Sequence, residues 1–102
     1  MNNSHEASAG IGFYRHYKGH YYQLLAIVRH SEEDAPYALY RALYGDFGLW
    51  VRPLNMFCEQ VIINGEPIQR FNYLGTAQPA DLELPPLALD SSVWPGFLPS
   101  ES

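Results

Sequence analysis

The sequence predicts an all-β fold: a small SH3-like barrel or strongly bent antiparallel meander of about six strands with one short helical turn. Three observations carry that expectation. Residues 37–57 pack β-forming aromatics and aliphatics into two short runs broken by Gly45-Asp46-Phe47-Gly48, the pattern of a hairpin. Asn64-Gly65 stands between two further apolar runs and is the strongest short hairpin signal in the chain. No convincing helix interrupts the series, and at this size such a meander closes or half-closes rather than forming a sandwich.

The elements follow from local chemistry. Residues 1–10 are small and polar and form a flexible leader. Gly12–Tyr17 is a first strand closed by Lys18-Gly19, and Tyr21–His30 is a long second one. Ser31-Glu32-Glu33-Asp34-Ala35-Pro36 is a solvated acidic loop. Tyr37–Tyr44 and Leu49–Arg52 form the central hairpin, which Pro53 ends because proline has no N–H for a ladder. Pro53-Leu54-Asn55-Met56 makes one helical turn. Phe57–Ile63 and Ile68–Leu74 flank Asn64-Gly65 and complete the domain, residues 11–74. From residue 75 the composition changes: five of the eight prolines fall there, no periodicity survives, and residues 75–102 are expected to be extended or disordered. Leu82, Leu84, Leu87, Leu89, Val93, Trp94, Phe97 and Leu98 make that tail apolar enough to dock on its own domain or on a partner, against the simpler reading of a disordered tail.

Charge and composition narrow the classes of function. The chain has 102 residues and a net charge of −5, of which residues 75–102 supply −4 through four acids and no base. That balance disfavours nucleic acid as a partner. The single cysteine, Cys58, precludes an internal disulfide and a multi-cysteine zinc site, and alternation around Phe57, Glu59 and Val61 points to a packed thiol. No apolar run is long enough for a membrane span, so the expected location is cytoplasmic.

Turn lengths give a provisional register. With Lys18-Gly19 as a two-residue turn, Phe13 faces Leu24; with the acidic loop joining His30 to Tyr37, Leu24 faces Leu43; with the Gly45–Gly48 turn, Leu43 faces Trp50 and Arg41 faces Arg52. One face then holds Tyr14, His16, Tyr21, Leu25, Ile27, Ala38, Tyr40, Ala42, Tyr44, Leu49 and Val51, and is the expected core. The other holds Arg15, Tyr22, Arg41, Trp50 and Arg52, the candidate ligand-binding residues. Opposed arginines repel unless an anion lies between them. Either Glu59 fills that role in a structural cluster, or Arg41 and Arg52 hold a carboxylate or phosphate in a site walled by Trp50 and Tyr22. Interleaved aromatics and arginines also suit stacked bases or a proline-rich peptide.

Catalytic constellations are weak. His20 and His30 lie at opposite ends of one strand, roughly 30 Å apart, and cannot share a metal ion, while His16 belongs to the other face. His30-Ser31-Glu32 joins three catalytic residue types, but adjacency is not triad geometry.

Three blocks carry a family resemblance: Tyr14-Arg15-His16-Tyr17-Lys18-Gly19; Arg29-His30-Ser31-Glu32; and Tyr40-Arg41-Ala42-Leu43-Tyr44-Gly45-Asp46, followed by Leu49-Trp50-Val51-Arg52-Pro53 and Met56-Phe57-Cys58-Glu59. Together these resemble the bacterial DUF1653 family over about residues 12–71. The acidic loop is short for the family and the tail lies outside it. The resemblance implies a small bacterial β domain with no assigned activity. It marks Arg15, His16, Lys18, His30, Glu32, Arg41, Trp50, Arg52 and Glu59 as family-typical positions.

The expectation is a binding module that presents an arginine–aromatic face to an anionic small ligand, a peptide or a protein, with no cofactor and no metal, as a monomer or homodimer. The alternatives are a small enzyme using His16 or His30 with Glu32 or Glu59 as acid and base, or a structural homodimer that hides this face.

Overall fold

A computed structural model describes residues 8–87. Its elements, in order, are β1 (Gly12–His16), β2 (Tyr21–Arg29), β3 (Pro36–Ala42), β4 (Leu49–Pro53), α1 (Leu54–Phe57), β5 (Gln60–Ile63), β6 (Glu66–Gln69) and β7 (Phe71–Gly75). All pairings are antiparallel. Five strands form one sheet in the order β4-β3-β2-β1-β7, and β5 and β6 form a separate hairpin. The all-β bent meander expected from the sequence is present, but the sheet does not close into a barrel: β4 and β7 are its two edges. Most of the predicted leader, and the tail beyond residue 87, lie outside the described residues.

The chain leaves the sheet at one edge and rejoins it at the other. Pro53 ends β4, α1 follows at once, and Phe57 and Cys58 are drawn out of the strand predicted for them. Asn64 (φ 52°) and Gly65 (φ 81°) take the left-handed conformations that a two-residue hairpin turn requires. The strand predicted over Ile68–Leu74 is two strands with a corner at Arg70. There the Arg70 N–H donates to the Glu59 carbonyl at 3.2 Å, and the Arg70 carbonyl accepts from Tyr17 N–H at 3.0 Å. Before the corner the chain pairs with β5, and after it with β1.

Three turns differ from the predicted register, and the faces change with them. Arg15, not Tyr17, is the last β1 residue of the first ladder and opposes Tyr21. The turn beyond it is closed by His16 N–H on the His20 carbonyl at 2.8 Å and by Gly19 N–H on the His16 carbonyl at 2.7 Å. A bulge at Leu25 places Leu24 opposite Tyr40 and Ala26 opposite Leu39. Residues with positive φ, Gly45 and Phe47, lengthen the third turn, and Asp46 Oδ1 accepts from Gly48 N–H at 3.1 Å. Arg41 therefore opposes Leu49, and Arg52 opposes Ala38. Each odd-numbered slip turns a strand over.

The core lies on the face of Tyr14, Leu24, Ala38 and Tyr40, where α1 adds Leu54 and Phe57 and β7 adds Phe71. Leu24 and Phe57 are fully buried. The Phe57 ring stacks on Phe71 at 4.3 Å and meets Tyr14 edge-on at 5.1 Å. Burying a side chain of that size contributes about 1.5–3 kcal/mol. Of the residues expected inside, Tyr14, Ala38, Tyr40 and Ala42 are buried, while Ile27, Tyr44 and Val51 are exposed. The bulge replaces Leu25 with Leu24 as the core leucine of β2.

Residues 76–87 form neither strand nor helix. They turn at Pro79, whose carbonyl accepts from Leu82 N–H at 3.1 Å, and come back to the sheet, where the Pro85 carbonyl accepts from Arg41 Nη1 at 3.0 Å.

Candidate functional site

Beside α1, on the core face of the sheet, Tyr22, Tyr40, Tyr44, Trp50 and Arg52 line an open recess of about 220 Å³. Its construction follows from alternation along β4. Trp50 and Arg52 are two residues apart and so share a face, opposite Tyr40 and Ala38 respectively. The small Ala38 leaves room for the Arg52 side chain, whose Nε donates to the Tyr40 hydroxyl at 3.4 Å. Trp50 is 55% exposed, so its indole stands open to solvent beside the guanidinium.

Tyrosines form the opposite wall. The Tyr22 and Tyr44 hydroxyls are hydrogen-bonded at 2.8 Å, and the Tyr44 ring stacks on His20 at 4.1 Å. Burial, then the bond to Tyr44, raises the Tyr22 pKa well above that of a free phenol, with Arg52 opposing the shift. The wall is thus neutral, a donor and acceptor surface with flat apolar faces.

Around the recess the charges are mostly positive. The His16 pKa is lowered from 6.5 by burial first, and then by Arg70, Lys18, Arg52 and His20. His16 thus lies in the field of three permanently cationic side chains. Its Nδ1 accepts from Lys18 N–H at 3.1 Å, which fixes the ring against Phe71 (5.0 Å) and Tyr17 (4.6 Å). Arg70 Nη2 pairs with Glu59 Oε2 at 2.6 Å. Arg52 has no acidic partner among the described residues.

The structure brings Tyr22, Trp50 and Arg52 together, with His16 and Lys18 flanking them and Glu59 linked through Arg70. It separates Arg41 and Arg15 from them. Both belong to the other face of the sheet, so Arg41 and Arg52 form no shared anion site. Arg15 is exposed beside the first turn. His30 and Glu32 sit at the far end of β2. There His30 Nδ1 accepts from Glu32 N–H (3.2 Å) and Glu33 N–H (3.1 Å), and its contact with Glu32 Oε1 is 4.0 Å. Among the described residues no histidine is hydrogen-bonded to a carboxylate, and no group of three or more His, Cys, Asp or Glu side chains converges as a metal site would. Cys58 is half-buried, its thiol donating to the Ser8 carbonyl at 3.2 Å.

Sequence reasoning missed four contributors, Tyr40, Tyr44, His20 and Arg70. The first two were assigned wholly to the core, and Arg70 to a strand interior. A larger recess of about 660 Å³ lies between the acidic loop and α1, but its one ionisable group besides Tyr37 is Glu33. There the Tyr37 hydroxyl donates to Glu33 Oε1 at 2.8 Å, so these two groups satisfy each other, and among the described residues no cationic side chain lines the recess.

Fold and recess together define a small, open antiparallel β domain. The chain belongs to the DUF1653 family of proteins of unknown function, whose pattern matches residues 12–73. The crystal structure of a DUF1653 protein from Bordetella bronchiseptica superposes with a TM-score of 0.63 at 35% identity, covering 71% of this chain and 95% of that one. No curated protein matches the chain. Among the described residues no helix is long and apolar enough to cross a membrane.

Proposed function

We propose that this domain is a binding module whose recess takes a ligand combining a flat apolar surface with an anionic group, a carboxylate or a phosphate. One observation carries the reading: an exposed Trp50 and an Arg52 with no acidic partner among the described residues stand side by side on β4. An indole offers a stacking face, and a guanidinium offers a planar fork for an oxyanion. Lys18 and Arg70 add positive potential around them, while the tyrosine hydroxyls supply neutral hydrogen bonds. The net charge of −5 argues against extended nucleic acid as the partner. A small ligand or an acidic side chain of a partner protein fits a recess of this size better.

Phenyl phosphate supplies both halves of the ligand and inorganic phosphate only one. In a titration followed by the Trp50 indole N–H resonance, phenyl phosphate is expected to bind about tenfold more tightly than phosphate. Trp50→Ala, followed instead through the backbone amides of Tyr22 and Arg52, should remove that difference, and Arg52→Ala should weaken both. An indole signal that moves with neither probe, nor with an aspartate-rich peptide, overturns the reading.

A further inference from the structure

Face by face, the buried residues of the sheet are unequally explained. α1 and β7 cover Tyr14, Leu24 and Tyr40. On the opposite face Phe13, Arg41 and Leu43 are also buried, at 5–6% exposure, yet none belongs to that core cluster. The register places Phe13, Gln23 and Arg41 in one row across β1, β2 and β3. Among the described residues, the segment hydrogen-bonded to this row is the returning tail, through Pro85 on Arg41. In that strap Leu82 and Leu84 are half-buried, whereas Asp81, Glu83, Pro85 and Pro86 are exposed. Burial alternates over residues 81–85, as in an extended peptide lying on a surface, and Leu87 is exposed.

Arg41 is the anomaly. Its Nη1 donates to the Pro85 carbonyl and its Nη2 to Gln23 Oε1 at 2.8 Å, both neutral acceptors. Its Nε is buried with no hydrogen-bond partner, and no carboxylate pairs with the guanidinium among the described residues. Buried cations are ordinarily paired, because burial without a counter-charge is costly. Among the described residues, the strap covers this face and leaves the Arg41 charge uncompensated.

We propose that the Arg41 face is a peptide-binding site, occupied here by residues 82–87 of the same chain. Its partner in trans is an extended Leu-x-Leu-Pro segment of another protein with an acidic residue next to the proline. An acidic side chain next to that proline would supply the counter-charge that the Arg41 guanidinium lacks among the described residues. A charge-assisted bond to a buried guanidinium exceeds a neutral one. The site is independent of the recess at Trp50, which lies on the other face.

The test uses the full chain carrying Leu82→Ser and Leu84→Ser, which frees the strap without touching the core cluster. The probes are a peptide with the sequence of residues 81–87 and the same peptide with Pro86→Asp. Both are expected to shift the amides of Gln23, Arg41 and Leu43 and leave the Trp50 indole unmoved. The acidic peptide should bind about tenfold or more tightly than the other. Against the unsubstituted chain both should bind more weakly, because the tethered strap competes. Arg41→Met should abolish the preference for the acidic peptide; if that variant does not fold, the peptide pair on the strap-freed chain decides alone. Silence of those amides, or equal affinities for the two peptides, overturns the proposal. A mass that doubles with protein concentration in the strap-freed chain also overturns it, because the occupant is then a second copy.

Discussion

The hydroxyls of Tyr22 and Tyr44 meet at 2.8 Å across the end of the sheet, and the Tyr44 ring lies flat on His20. A residue of β2 is thereby tied to the turn that precedes β4, and the wall of the recess is held as a unit. Tyr44→Phe keeps the stacking and deletes one hydrogen bond. Since Tyr44 is 40% exposed, the expected loss is small, about 0.5 kcal/mol in denaturant unfolding. Phenyl phosphate affinity should fall with it. Unaltered affinity would show that the wall needs only the rings.

Phe57 is the opposite case. It is 1% exposed and touches Tyr14, Tyr40 and Phe71. Phe57→Ala should cost about 3–5 kcal/mol, comparable with the whole stability of so small a domain. Circular dichroism is expected to show an unfolded or barely folded chain at room temperature. Retention of a cooperative transition within 1 kcal/mol or so of the original would place the core elsewhere.

Gly12 has φ 141°, and a Cβ there would run into the Gly75 carbonyl across the β1–β7 ladder. The pairing shifts register between Phe13 and Tyr14, just beyond this close approach. Gly12→Ala should destabilise by more than about 1 kcal/mol and lower hydrogen-exchange protection along β7 before β3. Uniform loss across all strands would contradict a local cause.

His16 makes stability depend on pH. Burial and four nearby basic groups hold its folded pKa below 6.5, so the unfolded chain takes up its proton first. The stabilisation from neutral His16 is complete above the unfolded value and is lost as pH falls from there through the folded value. Between about pH 7.5 and pH 5.5, His16→Asn should show a shallower decline in unfolding free energy than the parent chain. Parallel slopes would show that His16 is not the source of the decline. An anion bound beside Arg52 favours the protonated ring, so an aromatic carboxylate, ionised throughout that range, should bind more tightly at its acid end.

Where the chain turns, the sequence speaks clearly. Asn64-Gly65, Pro53 and the glycines of the third loop punctuate it through backbone preferences that act within two or three residues. Which side each strand turns to the core depends on the length of every turn and on the bulge at Leu25, and no single residue announces these. Arg41 and Arg52 were paired by a turn judged three residues too short, and the error exchanged one partner's face. Trp50 and Arg52 survived it because they stand two apart on one strand, where alternation is independent of register. Tyr44 and His20 come together only across strand ends, through hairpins whose lengths had to be known first.

The corner at Arg70 sets the order in which the domain is completed. β1, the first strand made, stays with an open edge until β7, nearly sixty residues later, turns away from β6 and zips onto it. Such distant pairing is slow relative to hairpin closure. A nascent or truncated chain ending before Phe71 would display the β1 edge together with Tyr14 and the uncapped Phe57, an invitation to intermolecular strand addition. The last strand is thus this domain's guard against aggregation as well as part of its core.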